Sequence, residues 1–141
     1  RLAGPDGGII LGVDLQKAET TLNQAYNDPE GHTREFNLNV LARLNREFDG
    51  NFDLCSFEHR AFYNSARCRI EMHLLSRTEQ SVMVAGECFN FARGETIHTE
   101  NSYKYSIESM RALAAESGLQ QQAVWTDSRQ YFAEFYFTAG K

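Results

Sequence analysis

The hydrophobic rhythm of this chain changes along its length, and that change limits what it can fold into. Ile9-Ile10-Leu11-Gly12-Val13-Asp14-Leu15 is a short, nearly continuous apolar run behind Gly7-Gly8. Such a run marks a strand buried on both faces, as in a parallel α/β sheet. Residues 17–26 follow with helical spacing, Ala18, Leu22, Ala25 and Tyr26 falling on one side. Asn27-Asp28-Pro29 supplies an Asx cap and a nearby proline for a second helix, which the spacing carries from about Pro29 or, past Gly31, from Thr33 to Phe48. Its predicted apolar stripe is Phe36, Val40, Leu41, Leu44 and Phe48, and Asp49-Gly50 closes it.

From Phe57 the period drops to two. Residues 57–63 and 68–76 read as a hairpin around Asn64-Ser65-Ala66. On its second strand Ile70, Met72 and Leu74 share one face, and Arg69, Glu71 and His73 share the other. Residues 80–85 and 88–91 extend this sheet, and the stretch 95–105 is expected to close it. Ser106 then caps a helix through Ile107, Met110, Leu113 and Ala114 that stops at Gly118. Residues 123–126 and 131–138 form a closing pair of strands around Asp127-Ser128. The two ends thus look like pieces of one α/β unit, and the helix and antiparallel meander between them read as an insertion. The expected boundaries are 1–26 with 105–141 for the outer unit and 27–104 for the inserted one. The fold class is α/β, with α+β character within these residues.

Composition excludes several functions. A chain of 141 residues, 42% hydrophobic, can bury a real core and is too apolar for disorder. Net charge is −5 and the Lys and Arg residues are scattered, which argues against nucleic acid or an acidic membrane surface as partner. No apolar run approaches the ~18 residues of a bilayer span, and no membrane partner is expected. Cys55, Cys68 and Cys88 are odd in number and lack CxxC spacing, so reduced thiols and a cytoplasmic location are expected. His32, His59, His73 and His98 show no ligand spacing, and no metal is expected. The chain opens at Arg1 on the turn Gly4-Pro5-Asp6-Gly7-Gly8, so an upstream part is expected too.

The stretch 95–105 reads Glu-Thr-Ile-His-Thr-Glu-Asn-Ser-Tyr-Lys-Tyr. As a strand it places Thr96, His98, Glu100, Ser102 and Lys104 on one face. The other face carries Glu95, Ile97, Thr99, Asn101, Tyr103 and Tyr105. Neither is a core face, so the strand is either an exposed edge or the wall of a polar pocket. Glu100 and Ser102 stand roughly 7 Å apart on one face. A carboxylate accepts hydrogen bonds and a hydroxyl donates or accepts. The pair suits a ring with one N–H and one bare nitrogen, such as imidazole, although other small amides and amines fit as well.

Several segments, taken in order, resemble one family. They are Gly12-Val13-Asp14-Leu15, Tyr26-Asn27-Asp28, Phe36-Asn37-Leu38-Asn39, Asn45-Arg46-Glu47, Phe52-Asp53-Leu54, Arg69-Ile70-Glu71-Met72-His73, residues 94–105 and Val124-Trp125-Thr126-Asp127. The chain resembles the histidine-specific, S-adenosylmethionine-dependent methyltransferases, which make trimethylhistidine in ergothioneine biosynthesis. The resemblance implies late strands of a Rossmann-like methyltransferase sheet, with an inserted helix-plus-antiparallel-sheet domain that binds substrate. It implies methyl transfer to the α-amine of L-histidine. Tyr26 matches a tyrosine that holds the substrate carboxylate, and Glu100 and Ser102 match the pair that recognises imidazole. Met72 matches a residue lining the pocket, and Thr33 is a further candidate wall. By residue type alone, Tyr26 is a helix-end aromatic and Met72 an ordinary core residue.

The family's glycine-rich loop and acidic residue for the cofactor lie in its amino-terminal half. No segment here matches them, and Gly7-Gly8 is a turn before a late strand. The resemblance therefore implies a carboxy-terminal half without a cofactor site and inactive alone, and the apolar strand from Ile9 to Leu15, left without neighbours, is expected to self-associate through the cut sheet edge. The alternatives are a relative that methylates another amino acid, such as tryptophan, or a non-enzymatic module that binds a small molecule or protein.

Overall fold

The computed structural model describes residues 7–140, so the turn expected at Gly4-Pro5-Asp6 lies outside the described residues. In chain order the elements are β1 (Gly8–Asp14), α1 (Glu19–Tyr26), α2 (His32–Glu47), β2 (Phe57–Asn64), β3 (Arg69–Ser76), β4 (Gln80–Val84), β5 (Glu87–Phe91), β6 (Thr96–Tyr103), α3 (Ile107–Glu116), β7 (Leu119–Thr126) and β8 (Phe132–Ala139). They form a mixed α/β chain that divides into two units, Arg1–Ala18 with Tyr103–Lys141, and Glu19–Ser102. None of the described helices is long and apolar enough to cross a membrane.

In the first unit β8 is the central strand of the order β1-β8-β7, antiparallel to both neighbours. Its alternation is clean, with Ala133, Phe135 and Phe137 turned inward. α3 lays Met110 and Ala114 over them and over Val13 and Leu15. Ser106 starts α3 as expected, in a capping box with Ser109, and Gly118 takes a positive φ of 73° after its end. Asp14 meets both Lys17 and Lys104, whose Nζ lies 2.9 Å from Asp14 Oδ2. Lys104 is only 2% exposed, a buried cation held against a carboxylate.

Two expectations change here. β1 is not buried on both faces: Ile9, Ile10 and Leu11 are exposed, and of its residues only Val13 is buried. Its strand partner is β8, antiparallel, and on its other side the described residues supply one parallel bridge, Leu15 with Tyr105. β7 begins at Leu119, four residues earlier than its apolar pattern suggested. Gln120, Gln121 and Gln122 hide the alternation, and a register shift between Gln121 and Ala123 interrupts it.

In the second unit β2, β3 and β6 make one sheet in the order β2-β3-β6, while among the described residues β4 and β5 pair with each other as a separate two-stranded sheet. The expected continuous meander is therefore split. Ser76 decides this, its N–H donating to Glu95 O and its carbonyl accepting from Gly94 N–H, both at 2.8 Å. These bonds bring β6 back beside β3. The core has two clusters. One holds Leu22, Ala61, Ile70 and Met72, and the other Leu41, Phe52, Phe57, Leu74 and Val82.

The stripe expected on α2 is rotated. Phe36 is 62% exposed, and Val40 and Phe48 are exposed as well, whereas Leu41 and the polar Asn37 are buried. Asn37 can face inward because its amide is fully engaged by neighbouring strands.

Asp28 caps α2 from outside, its carboxylate accepting from His32 N–H at 2.7 Å and Thr33 N–H at 2.9 Å. Bonds from the Thr33 side chain and backbone hold its carboxyl far below the usual carboxylate range. A folded-state pKa below the unfolded one contributes stability above the unfolded value, ~4, and loses it as pH falls toward the folded value. Thermal melts of the wild type and Asp28→Ala should therefore differ at neutral pH and converge as pH is lowered toward ~2. A difference that persists undiminished in acid would show that the carboxylate is not what holds the helix start.

Candidate substrate-binding site

The five residues singled out by sequence all lie in the second unit. β6 carries Glu100 and Ser102, both half-buried, and its other residues alternate polar groups between the two faces. Tyr26 is the last residue of α1. Its hydroxyl lies 2.7 Å from Ser102 Oγ, a contact spanning 76 positions. Below the hydroxyl, the Tyr26 ring packs on the cluster of Leu22, Ala61, Ile70 and Met72. One tyrosine thus serves the core with its ring and a polar contact with its tip. Met72 is 2% exposed and belongs to the same cluster, beneath the Tyr26 ring. Thr33 sits half-buried in the first turn of α2, and its bonds run to Asp28. Folding thus joins Tyr26 with Ser102 and with the Met72 cluster; Glu100 follows from strand spacing, and Thr33 serves the helix start.

His98 precedes Glu100 on β6, and its Nε2 donates to the Glu100 carbonyl at 3.1 Å. Its ring stacks on His73 at 4.5 Å, and His73 stacks on Phe62 at 5.4 Å. Glu71 lies beside this column, its Oε1 receiving Arg69 Nη2 at 2.6 Å, Arg69 Nε at 2.9 Å and Asn64 Nδ2 at 3.0 Å. These Arg69 bonds keep the Glu71 carboxyl below its ordinary range, while burial, and then the neighbouring His98, push the His73 imidazole down. Donor atoms of Glu71, His73 and His98 lie within 4.8 Å of one another. Rings only 16° from parallel and 4.5 Å apart hold their lone pairs in nearly parallel, separate planes. They do not converge on one ion, and Arg69 already neutralises Glu71. The cluster is a stacked polar column beside β6.

Residues that sequence reasoning passed over are Asn37, His59 and Thr99. Asn37 lies four residues before buried Leu41, so a polar side chain stood at a core position of the helix. That signal was present, but the exposed Phe36 and Val40 outweighed it.

The polar strand β6 of this mixed α/β chain thus bears Glu100 and Ser102, with the Tyr26 hydroxyl against Ser102. The chain belongs to the histidine-specific, S-adenosylmethionine-dependent methyltransferase family, whose sequence profile it matches over residues 1–139. It is 47% identical over 125 residues to a histidine N-alpha-methyltransferase of Mycolicibacterium smegmatis, a match covering 87% of this chain and 39% of that protein. The corresponding protein of Mycobacterium tuberculosis is 42% identical over the same shares. A protein of Psilocybe serbica named L-tryptophan methyltransferase trpM is 23% identical over 88% of this chain and 35% of its own length. The chain thus spans about two fifths of the length of the first two relatives.

Proposed function

We propose that this chain is the substrate-binding part of an enzyme that methylates the α-amine of L-histidine to trimethylhistidine. The observation that carries the reading is the Tyr26–Ser102 contact of 2.7 Å on the strand that also bears Glu100. In this reading Glu100 accepts from an imidazole N–H, Ser102 addresses the other ring nitrogen, and Tyr26 meets the carboxylate. Met72 and Thr33 form the remaining walls. Holding both ends of the amino acid leaves the α-amine between them with its lone pair aimed, so these residues act by positioning. Glu19–Ser102 is then the substrate domain and the outer unit part of a Rossmann-like domain, in a cytoplasmic enzyme.

S-adenosylmethionine would supply the electrophilic methyl group. The described residues do not fit its binding: the link between β1 and α1, Leu15-Gln16-Lys17-Ala18, has no glycine to let the backbone approach the cofactor. We place that site outside these residues. A second reading, methylation of tryptophan, draws on the Psilocybe relative. Glu100 speaks against it, because an indole has no second ring nitrogen for a carboxylate and hydroxyl pair to share. The test is incubation of the full-length protein with S-adenosylmethionine and single amino acids, read by mass spectrometry. Stepwise methyl gains on histidine are expected; faster gain on tryptophan would overturn the reading.

A further inference from the structure

Between α1, α2 and the sheet β2-β3-β6 runs a hydrogen-bonded chain that the substrate reading does not use. Asn37 is its hub and is 1% exposed. Its Nδ2 donates to His73 O at 3.1 Å and meets His59 Nδ1 at 3.0 Å, while its Oδ1 accepts from the Thr99 hydroxyl at 2.6 Å. The Thr99 hydroxyl also lies 3.0 Å from Met72 O, so its one hydrogen is shared between two acceptors. At the far end His59 Nε2 lies 2.8 Å from Tyr26 O.

The partners dictate where the protons are. A carbonyl only accepts, so His59 Nε2 must carry the hydrogen toward Tyr26 O. Asn37 Nδ2 only donates, so His59 Nδ1 must be bare. His59 is therefore the neutral tautomer with its proton on Nε2. An imidazolium there would set N–H against N–H.

The chain ends on the carbonyls of Tyr26, Met72 and His73, and it holds β6 through the hydroxyl of Thr99, the residue before Glu100. We propose that Asn37 and His59 are positioning residues, tying the backbones at Tyr26 and Met72 to Thr99 on the strand that carries Glu100 and Ser102, in one frame that sets the spacing of the substrate-binding side chains. The proposal rests on the histidine reading above. Buried polar networks of this kind rigidify only when every member is satisfied. Asn37→Asp keeps the shape and removes both donors, and His59→Leu removes both ring nitrogens. His59→Gln keeps one acceptor and one donor.

The experiment uses the full-length protein, assayed well below each variant's melting temperature. KM for histidine should rise about tenfold or more in Asn37→Asp and His59→Leu, with kcat less affected, and His59→Gln should recover most of the loss. The dissociation constant for S-adenosylmethionine should stay within about twofold. A merely structural role would lower the melting temperature and leave KM unmoved. Values of KM within about twofold of wild type in both damaging variants overturn the proposal. Hydrogen–deuterium exchange separates its failure from that of the substrate reading. In both damaging variants, segments 19–27 and 96–103 should exchange faster together, whichever amino acid the wild type methylates. Unchanged exchange in both segments also overturns the proposal.

Discussion

Replacing Glu100 by Ala in the full-length protein is expected to lower kcat/KM for histidine about 10- to 150-fold. A hydrogen bond to a charged group contributes roughly 1.5–3 kcal/mol, and Glu100 is half-buried, so water replaces the lost acceptor only in part. The loss should fall on histidine and largely spare tryptophan, because a carboxylate favours a ring with two nitrogens over a largely apolar one. Adding Met72→Val should enlarge the space beside the ring and move the ratio further toward tryptophan. Met72 is 2% exposed and packs with Leu22, Ala61 and Ile70, so that change also costs stability. The cost should stay below the roughly 2–5 kcal/mol of a Met→Ala truncation. The deciding measurement is the histidine-to-tryptophan ratio of kcat/KM in both variants. An unchanged ratio would mean that neither side chain selects the substrate.

The other large effect is on stability. Phe135 is 0% exposed on the central strand β8, with its ring stacked on Phe137 at 5.4 Å and the α3 residues in the same cluster. Phe135→Ala should destabilise this unit by about 3–5 kcal/mol, the transfer term plus the cavity it leaves. Phe132→Ala, on the same strand but exposed, should cost far less. Trp125 is the single tryptophan and sits on the adjacent β7, so its fluorescence during urea unfolding reports on this sheet. Equal midpoints for the two variants would mean that the core lies on the other face of β8.

Local pattern made most elements legible. α1, β2, β3, α3 and β8 begin and end near their expected positions. Each carries one unbroken period and a stop or start signal, such as Ser106 before α3. The faces of β3 were readable for the same reason: Ile70, Met72 and Leu74 alternate with Arg69, Glu71 and His73. Yet Arg69 and Glu71 are buried too, because they satisfy each other. Glu100 and Ser102 could be paired from spacing alone, since a strand fixes the side of every second residue.

By itself, then, the sequence determined where strands and helices form, which residues share a strand face, and the family to which the segment order points. Tertiary structure decided the rest. It chose β3 rather than β5 as the neighbour of β6, through two backbone bonds at Ser76. It turned Asn37 inward in place of Phe36, because an imidazole on β2, a carbonyl on β3 and a hydroxyl on β6 converge there. It brought the Tyr26 hydroxyl to Ser102 across 76 residues. The physical reason is common to all three. A residue's period depends on its nearest neighbours along the chain, whereas the partner that satisfies a buried polar group or an open strand edge comes from far away in sequence.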